Sequence, residues 1–291
     1  MDYILHLGIL ICIYTILAQS LSLVAGYSGQ ISLAQAGFYG IGAYLSALLT
    51  VNFGFSVLVT LPLAMILSGI IAYVVSKVAV KTVDDYYIII TLGIQVEIFS
   101  VMNNWQEVTR GPLGIPGIPS FSSFGFEFDS KVSYLLLSIF FAGLVWFVLH
   151  NLTKSPFGRV LRGLSEDEVY TKSLGKNVGS YKVISFVISG MLASIAGVLY
   201  AHYISYIDPT SFTIDESIFI LSIVIIGGMR NLQGIFFAAT FLVLLPEALR
   251  FVGMPSSVAA NMRQVIYGIA LILVIFRMGV NKSKTLRNAN V

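Results

Sequence analysis

Long runs of apolar residues separated by short polar stretches make up most of the chain. They fall at about 3–25, 36–50, 57–76, 86–102, 133–150, 181–204, 216–229, 233–250 and 262–277. A helix that crosses a bilayer needs about 20 mostly apolar residues, so the pattern predicts an all-α polytopic membrane protein with about nine transmembrane segments. Two short, glycine-flanked runs, 36–50 and 216–229, are typical of tilted or broken helices inside a membrane protein.

Composition agrees with the membrane interpretation. Hydrophobic residues make up 57% of the chain and charged residues 11%, whereas soluble domains are about 25% charged. The sequence therefore predicts one transmembrane domain over residues 1–291, with no soluble catalytic domain beside it. The net charge of +3 comes from basic residues at the ends of apolar runs, so we expect no nucleic-acid partner. Cys12 is the only cysteine, which excludes a disulfide within the chain.

The distribution of lysine and arginine predicts the orientation. Basic residues follow the third run, crowd the loop at about 151–180 and recur in the C-terminal tail. Short cytoplasmic loops are enriched in lysine and arginine, and counting segments brings all three groups to one side. We therefore expect an outer N-terminus, a cytoplasmic C-terminus, and outer loops at about 103–132 and 205–215.

A polar, glycine-rich stretch follows the first run and is predicted to break the helix at Gly26 and Gly29. Small residues also recur at a spacing of four, which lets helices approach closely in lipid: Ser32, Ala36 and Gly40. Two interpretations remain open for Gln30, Ser32 and Gln35. They line a polar translocation path, or they pack tightly with hydrogen bonds between helices.

The loop at 151–180 begins with a short amphipathic helix. Ser155 is predicted as the N-cap, with Pro156 at the first helical position. Apolar residues then recur with helical spacing: Phe157, Val160, Leu161 and Leu164. Arg159 and Arg162 lie on the opposite side, so we expect this helix to lie along the membrane interface with both arginines as anchors.

A second, separately capped helix is predicted to follow directly. Ser165 and Glu168 match the N-cap and N3 positions of a capping box, and the acids Glu166, Asp167 and Glu168 suit the positive end of a helix dipole. Gly175 is predicted as a left-handed stop. Tyr170 and Leu174 form an apolar face directed away from the bilayer. Such a helix is suited to transmit a movement of a partner protein to the membrane segments. Many transporters carry amphipathic loop helices, so the helix alone does not prove a partner.

The fourth run contains three notable polar residues. An ionised acid such as Glu97 costs about 2.5–3.5 kcal/mol near the bilayer centre. We therefore expect Glu97 to face the bundle or a wet cavity, or to be protonated. Thr91 and Gln95 share one helix face. All three residues are candidates for the translocation path, and a structural role against a neighbouring helix is the alternative.

Catalytic motifs are missing from the sequence. His6, His150 and His202 are far apart and lack the spacing of metal ligands. The chain contains no Walker A motif and no Gly-x-Ser-x-Gly elbow. We therefore predict no catalytic residue, no metal, no cofactor and no ATP hydrolysis by this chain.

Four stretches resemble the M-type membrane permease subunit of ABC importers for branched-chain amino acids. The most specific one runs from Ser155 to Gly175. The others are Gly26-Tyr-Ser-Gly-Gln-Ile-Ser-Leu-Ala-Gln-Ala-Gly-Phe38, Asn103-Asn-Trp-Gln-Glu-Val-Thr109 and Gly227-Gly-Met-Arg-Asn-Leu-Gln-Gly234. The resemblance implies a bacterial or archaeal inner-membrane permease paired with a second, homologous permease. It also implies two cytoplasmic ATPases and an extracytoplasmic binding protein as partners.

The resemblance also implies roles for particular residues. The cytoplasmic segment would couple to the ATPase through Ser165, Glu166, Asp167, Glu168, Tyr170, Leu174 and Gly175. The outer loop, with the cations Arg110 and Lys131, would dock the binding protein. The sequence departs from the family at Arg110 and Arg230, where glycine is common, and at Ile235, where proline is frequent. These departures are expected to alter local loops and to leave the coupling region untouched.

The leading function is therefore the translocation path of an importer for branched-chain or other apolar amino acids. Urea and short amides are the alternatives within the same transporter class. A stand-alone secondary transporter or channel for a small polar solute, with Glu97 as a proton or cation site, is the alternative from another class. Such carriers usually have broken helices in both halves, and the sequence shows a clear candidate only in the first half.

Overall fold

The computed structural model describes residues 2–82, 84–123, 126–128, 130–251 and 268. The helices in this part of the chain are α1 (Asp2–Ser22), α2 (Gln35–Phe53), α3 (Val57–Ala79), α4 (Asp84–Asn104), α5 (Gln106–Thr109), α6 (Lys131–Lys154), α7 (Pro156–Glu166), α8 (Glu168–Ser173), α9 (Val178–Ile204), α10 (Ile214–Gly227) and α11 (Leu232–Phe251). Four two-residue strands also occur: β1 (Ile115–Pro116), β2 (Ser122–Ser123), β3 (Phe126–Glu127) and β4 (Tyr206–Ile207).

The helix lengths confirm an all-α polytopic membrane protein. Within the described ranges, seven helical segments are long and apolar enough to cross a membrane. An eighth apolar helix, Leu232–Glu247, is shorter. Eight of the nine predicted runs thus have a helical counterpart, and the ninth, 262–277, lies outside the described residues.

Three helices form the centre of the bundle. Helices α1, α2 and α9 are buried along most of their length, whereas α3, α4 and α6 expose most of theirs. The contact between α2 and α9 is especially close, because Gly42 packs on the backbone of Ser194 and Gly197 packs on the backbone of Tyr39. Glycine at these positions lets the two helix backbones touch.

The predicted helix break after the first run is confirmed. Helix α1 ends in a π-helical turn, Leu23–Tyr27, and the chain does not become helical again until Gln35. Gly29 adopts a φ of 75° within this break. The predicted small-residue face is wrong in one respect, because Ser32 precedes α2 and shares no helix with Ala36.

A second broken helix lies in the other half of the chain. Between α9 and α10, a short 3-10 turn, Pro209–Phe212, leads into Ile214. The carbonyl of Phe212 accepts a hydrogen bond from Gln95, midway along α4, so the chain enters the bundle before α10 begins. The short run at 216–229 is thus preceded by an interruption inside the bundle, although the sequence offered a clear candidate for a broken helix only in the first half.

The loops sort into two ends of the bundle. Asp2 pairs with Lys131 at 3.8 Å, and β1 pairs with β4, which brings the N-terminus, the 103–132 loop and the 205–213 segment to one end. His202 fixes the loop further by donating to the carbonyl of Pro119 at 2.7 Å. Segment 155–177 and the turn between α10 and α11 lie at the opposite end.

We expect the α2–α9 contact to be essential for stability. A Cβ at Gly197 would overlap the carbonyl oxygen of Tyr39, so Gly197→Ala should lower the free energy of unfolding by about 1–3 kcal/mol. The matched control is Gly143→Ala in α6, where a Cβ meets nothing within 4 Å and should be neutral or stabilising. Thermal unfolding of the purified protein in detergent measures both. Equal midpoints for the two variants would contradict this packing.

Candidate functional site

The first helix of the 155–177 segment begins as predicted. Ser155 Oγ accepts a hydrogen bond from the backbone N–H of Gly158 at 3.4 Å, and Pro156 occupies the first helical position. On the apolar side, Leu161 and Leu164 are buried against the bundle. Phe157 stacks on Tyr181 of α9 with ring centroids 5.3 Å apart. Helix α7 is thus attached along one side to the transmembrane helices.

Both arginines of α7 have partners within the protein. Arg162 donates to the carbonyl of Thr153 at 2.9 Å, and Arg159 donates to that of Lys154 at 3.4 Å. These carbonyls belong to the last turn of α6, where helical partners are lacking and cations are favoured. Arg162 also lies over the Tyr27 ring, 5.6 Å from its centroid. Anchoring by lipid headgroups stays a prediction for both.

The predicted capping box is wrong, and the helix boundary moves by two residues. Helix α7 continues through Glu166, and Ser165 Oγ donates to the Arg162 carbonyl at 2.8 Å, so it caps nothing. Asp167 is the N-cap instead, because its extended backbone ends α7 and its Oδ1 accepts from Tyr170 N–H at 2.8 Å. Gly175, with a φ of 74°, is confirmed as the left-handed stop.

Glu168 has a different partner from the one predicted. Its Oε2 lies 2.6 Å from the ammonium of Lys182, whose side chain is 8% exposed. A buried ammonium needs a counter-ion, and Lys182 lies in the second turn of α9. The buried hydroxyl of Thr171 donates to the carbonyl of Asp167 within α8 itself. Helix α8 is therefore held to the start of α9.

An apolar surface remains exposed on α8. Tyr170 is 62% exposed and Leu174 is 60% exposed, so both are free of the bundle, and their predicted direction away from the bilayer stays a prediction. Val169, at 79% exposed, joins them and was not singled out in the sequence, because it lies off their i, i+4 face. We call Val169, Tyr170 and Leu174 the coupling surface, and residues 155–175 the coupling unit.

Arg230 connects the coupling unit to two other parts of the chain. From the turn between α10 and α11, its Nε donates to the carbonyl of Gly26 at 2.9 Å, and its Nη1 contacts Glu166 Oε1 at 3.0 Å. Its Nη2 donates to Ser165 Oγ. The hydroxyl of Tyr27 donates to the Arg230 carbonyl at 2.9 Å. The expectation that the departure at Arg230 leaves the coupling region untouched is therefore wrong.

The coupling unit also touches the first broken helix directly. A Cβ placed on Gly29 would lie 3.0 Å from that of Ser165, so the chain between α1 and α2 packs on the end of α7. Besides the packing of α7 against the bundle, three further contacts join the coupling unit to it, through Lys182, Arg230 and Gly29. Two of them reach the ends of broken helices.

The candidate path residue Gln95 lies among buried hydrogen bonds inside the bundle. Gln95 Oε1 accepts from the N–H of Gly37, and Ser217 Oγ accepts from that of Ala36 at 3.0 Å. Both N–H groups belong to the first turn of α2, where a helix has no partners of its own. Because Gln95 Nε2 also donates to the Phe212 carbonyl at 2.8 Å, this one side chain connects the starts of both half-helices.

The other candidate path residues on this side of the bundle are also buried and hydrogen-bonded. Gln35 donates to Ser20 Oγ and accepts from Ser189 at 3.3 Å. Thr91 accepts from the N–H of Leu33 at 3.1 Å. Two further pairs lie within the break after α1, with Ser28 donating to Gln30 and Ser32 accepting from the N–H of Ala34. Their geometry favours the packing interpretation over a polar path within this chain.

Glu97 lies on a different face of α4 from Thr91 and Gln95. Its side chain is exposed and lines a surface groove of about 310 Å³, in which the other lining residues from the described part of the chain are uncharged. Ile41, Leu45 and Trp105 contribute to the walls. Glu97 therefore faces a groove on the outside of this chain and does not face the interior of its bundle.

The two cations predicted to dock a binding protein differ in their surroundings. Arg110 is exposed and adopts a φ of 60°, a left-handed conformation that suits the glycine common at this position. Lys131 is partly occupied by its ion pair with Asp2. Arg110 is therefore the more accessible charge of the two.

Comparisons with known proteins give a consistent picture. The family model described as "branched-chain amino acid transport system / permease component" matches residues 3–275. The high-affinity branched-chain amino acid transport permease LivM of Salmonella typhimurium is 34% identical over 82% of this chain and 61% of the relative. LivM of Escherichia coli is 33% identical over the same shares.

A more distant relative is archaeal. The probable branched-chain amino acid transport permease LivM of Methanocaldococcus jannaschii is 28% identical over 77% of this chain and 74% of the relative. The chain thus spans about three fifths of the length of the two bacterial relatives. No solved structure gives a significant match.

Proposed function

Because the chain belongs to the branched-chain amino acid transport permease family, we propose that it is the translocation subunit of an ATP-driven importer for branched-chain or other apolar amino acids. The observation that carries the proposal is the coupling surface, which is apolar and exposed on a unit fixed to the bundle by the packing of α7 and by the contacts of Lys182, Arg230 and Gly29. An exposed apolar cluster of this kind is typical of a protein-binding site. Its proposed occupant is a cytoplasmic ATPase.

The proposed assembly contains this chain as a single permease domain over residues 1–291, a homologous second permease and two ATPase subunits. We propose that it lies in a bacterial or archaeal inner membrane. The basic end of the bundle would face the cytoplasm, with the N-terminus outside and the C-terminus inside, as the lysine and arginine pattern indicates. A binding protein would deliver the substrate to the 103–132 loop, with Arg110 as the principal docking charge.

The contacts of the coupling unit suggest how a movement of the ATPase is transmitted to the transmembrane helices. A displacement of α8 would pass to α9 through the buried pair of Glu168 and Lys182. It would also pass through Ser165 and Glu166 to Gly29 and to Arg230. Both broken helices would then move together, because Gln95 joins their starts. A switch of this kind needs an element with two discrete arrangements.

The groove beside Glu97 is the proposed wall of the substrate path. An apolar amino acid carries an ammonium group, for which Glu97 offers a counter-charge, while its side chain suits walls such as Ile41 and Leu45. The groove lies on the outer face of α4, so a second permease would have to cover it. A protein partner at this face also explains how an acid is tolerated in a membrane segment.

We expect the double change Tyr170→Ala, Leu174→Ala to leave folding and membrane insertion intact. It should detach the ATPase or separate ATP hydrolysis from uptake, because small interfaces concentrate their binding energy in a few anchors worth about 2 kcal/mol or more. ATPase retention on purification and substrate uptake per ATP in reconstituted vesicles are the readouts.

The matched control is Lys172→Ala, which changes an exposed residue of the same helix outside the coupling surface. It should retain both properties. Full ATPase retention and normal uptake in the double variant would overturn the coupling role and favour a stand-alone carrier.

We expect Glu97→Gln to raise the KM for uptake by about 10-fold or more, because a charge-assisted hydrogen bond contributes about 1.5–3 kcal/mol. ATP hydrolysis stimulated by the loaded binding protein should persist. Glu97→Asp should retain part of the affinity, and Glu107→Gln, an exposed acid near the outer loop, serves as the control. Unchanged uptake by Glu97→Gln would remove this residue from the path.

A further inference from the structure

A basic pocket lies at the end of the bundle that carries the coupling unit. It has a volume of about 310 Å³ and is bounded by residues of α6, α7 and the start of α11. Lys154, Arg162 and Arg230 line it, together with His150, and no acidic side chain is among the described residues that line it. Like charges in one pocket repel one another, so an anion there would relieve that repulsion.

An apolar groove opens next to this pocket. It has a volume of about 620 Å³ and runs between α1, α6 and α11, with walls that include Ile139, Gly143 and Phe236. The groove and the basic pocket share three lining residues, Trp146, Leu232 and Gln233. The two spaces are therefore adjacent, with an apolar part towards the middle of the bundle and a cationic part at its end.

We propose that this composite space binds one anionic phospholipid, with the phosphate in the basic pocket and an acyl chain in the groove. Basic pockets between helices on the cytoplasmic side are suited to anionic headgroups. Trp146, stacked on His150 with centroids 4.8 Å apart, stands at the junction, and tryptophan is favoured at membrane interfaces. A soluble anion would fill the pocket and leave the apolar groove unoccupied.

The location connects the lipid with coupling. Arg162 and Arg230 line the pocket and also hold the coupling unit, through Thr153 and through Glu166 and Ser165. A phosphate between these two guanidinium groups would stabilise both in their observed positions. The bound lipid would therefore favour the attached arrangement of the coupling unit.

Tryptophan fluorescence offers a direct test. The chain has two tryptophans, Trp105 and Trp146, so Trp105→Phe leaves a single reporter in the proposed site. This protein is reconstituted in phosphatidylcholine vesicles that contain a small fraction of brominated lipid, either phosphatidylglycerol or phosphatidylcholine. Bromine quenches a nearby tryptophan, so we expect brominated phosphatidylglycerol to quench Trp146 at a several-fold lower mole fraction.

Charge variants distinguish selective binding in this pocket from non-selective contact with the surrounding lipid. Lys154→Gln and, as a second variant, Arg162→Gln should each lower the preference for phosphatidylglycerol about five-fold, as expected for one cation at an anionic surface. Lys172→Gln, an exposed cation at the same end but outside the pocket, should leave the preference unchanged.

Equal quenching by the two brominated lipids would overturn the proposal, since it would indicate only surrounding lipid. An unchanged preference in both Lys154→Gln and Arg162→Gln would do the same. If inorganic phosphate abolished the selective quenching at millimolar concentration, the pocket would be a site for a soluble anion and the lipid assignment would be wrong.

Discussion

The constraint on which this structure depends is the cost of starting a helix inside a membrane bundle. The first backbone N–H groups of such a helix have no partner within it and no bulk water nearby. In α2, those of Ala36 and Gly37 are satisfied by Ser217 and Gln95, which come from α10 and α4. Gln95 also binds the Phe212 carbonyl before α10. The two half-helices are thereby fixed to each other, and a movement of one requires a movement of the other.

The break after α1 and the turn between α10 and α11 provide the attachment of the coupling unit. Gly29 contacts Ser165, and Arg230 joins Gly26 to Glu166. The ion pair contributes little to stability, because the side chains of Arg230 and Glu166 are 38% and 69% exposed and exposed pairs are worth about 0–1 kcal/mol. The pair matters because it fixes positions: the planar guanidinium of Arg230 binds three groups from two separate parts of the chain, the Gly26 carbonyl and the side chains of Ser165 and Glu166. The phosphate of the proposed phospholipid would hold the Arg230 side chain in this position from the membrane side.

In this chain, sequence patterns predict the features that depend on neighbouring residues, namely the helical segments and some of the helix ends. The helix period and run length give the helical segments, Ser155 and Pro156 give the start of α7, and Gly175 gives the end of α8. The boundary at Asp167 was missed because Ser165 and Asp167 are both good caps and packing against Gly29 and Arg230 decides between them. The pairing of Arg230 with Glu166 could not be predicted, because the two residues are 64 positions apart and no periodic pattern of the sequence relates them. The short run at 216–229 indicated a broken helix, but its entry through Phe212 could not be predicted because it depends on the distant side chain of Gln95 in α4.

The central claim is that the coupling unit and the ends of the broken helices move as one body. Electron paramagnetic resonance distances between spin labels at positions 172 and 233, in a Cys12→Ala background with the partner ATPase, test it most directly. The account predicts that this distance is the same with and without ATP, while the distance from 172 to 206 at the outer end changes. Arg230→Gln should broaden the distribution between 172 and 233. A distance between 172 and 233 that changes with ATP in the unmodified protein would contradict the claim.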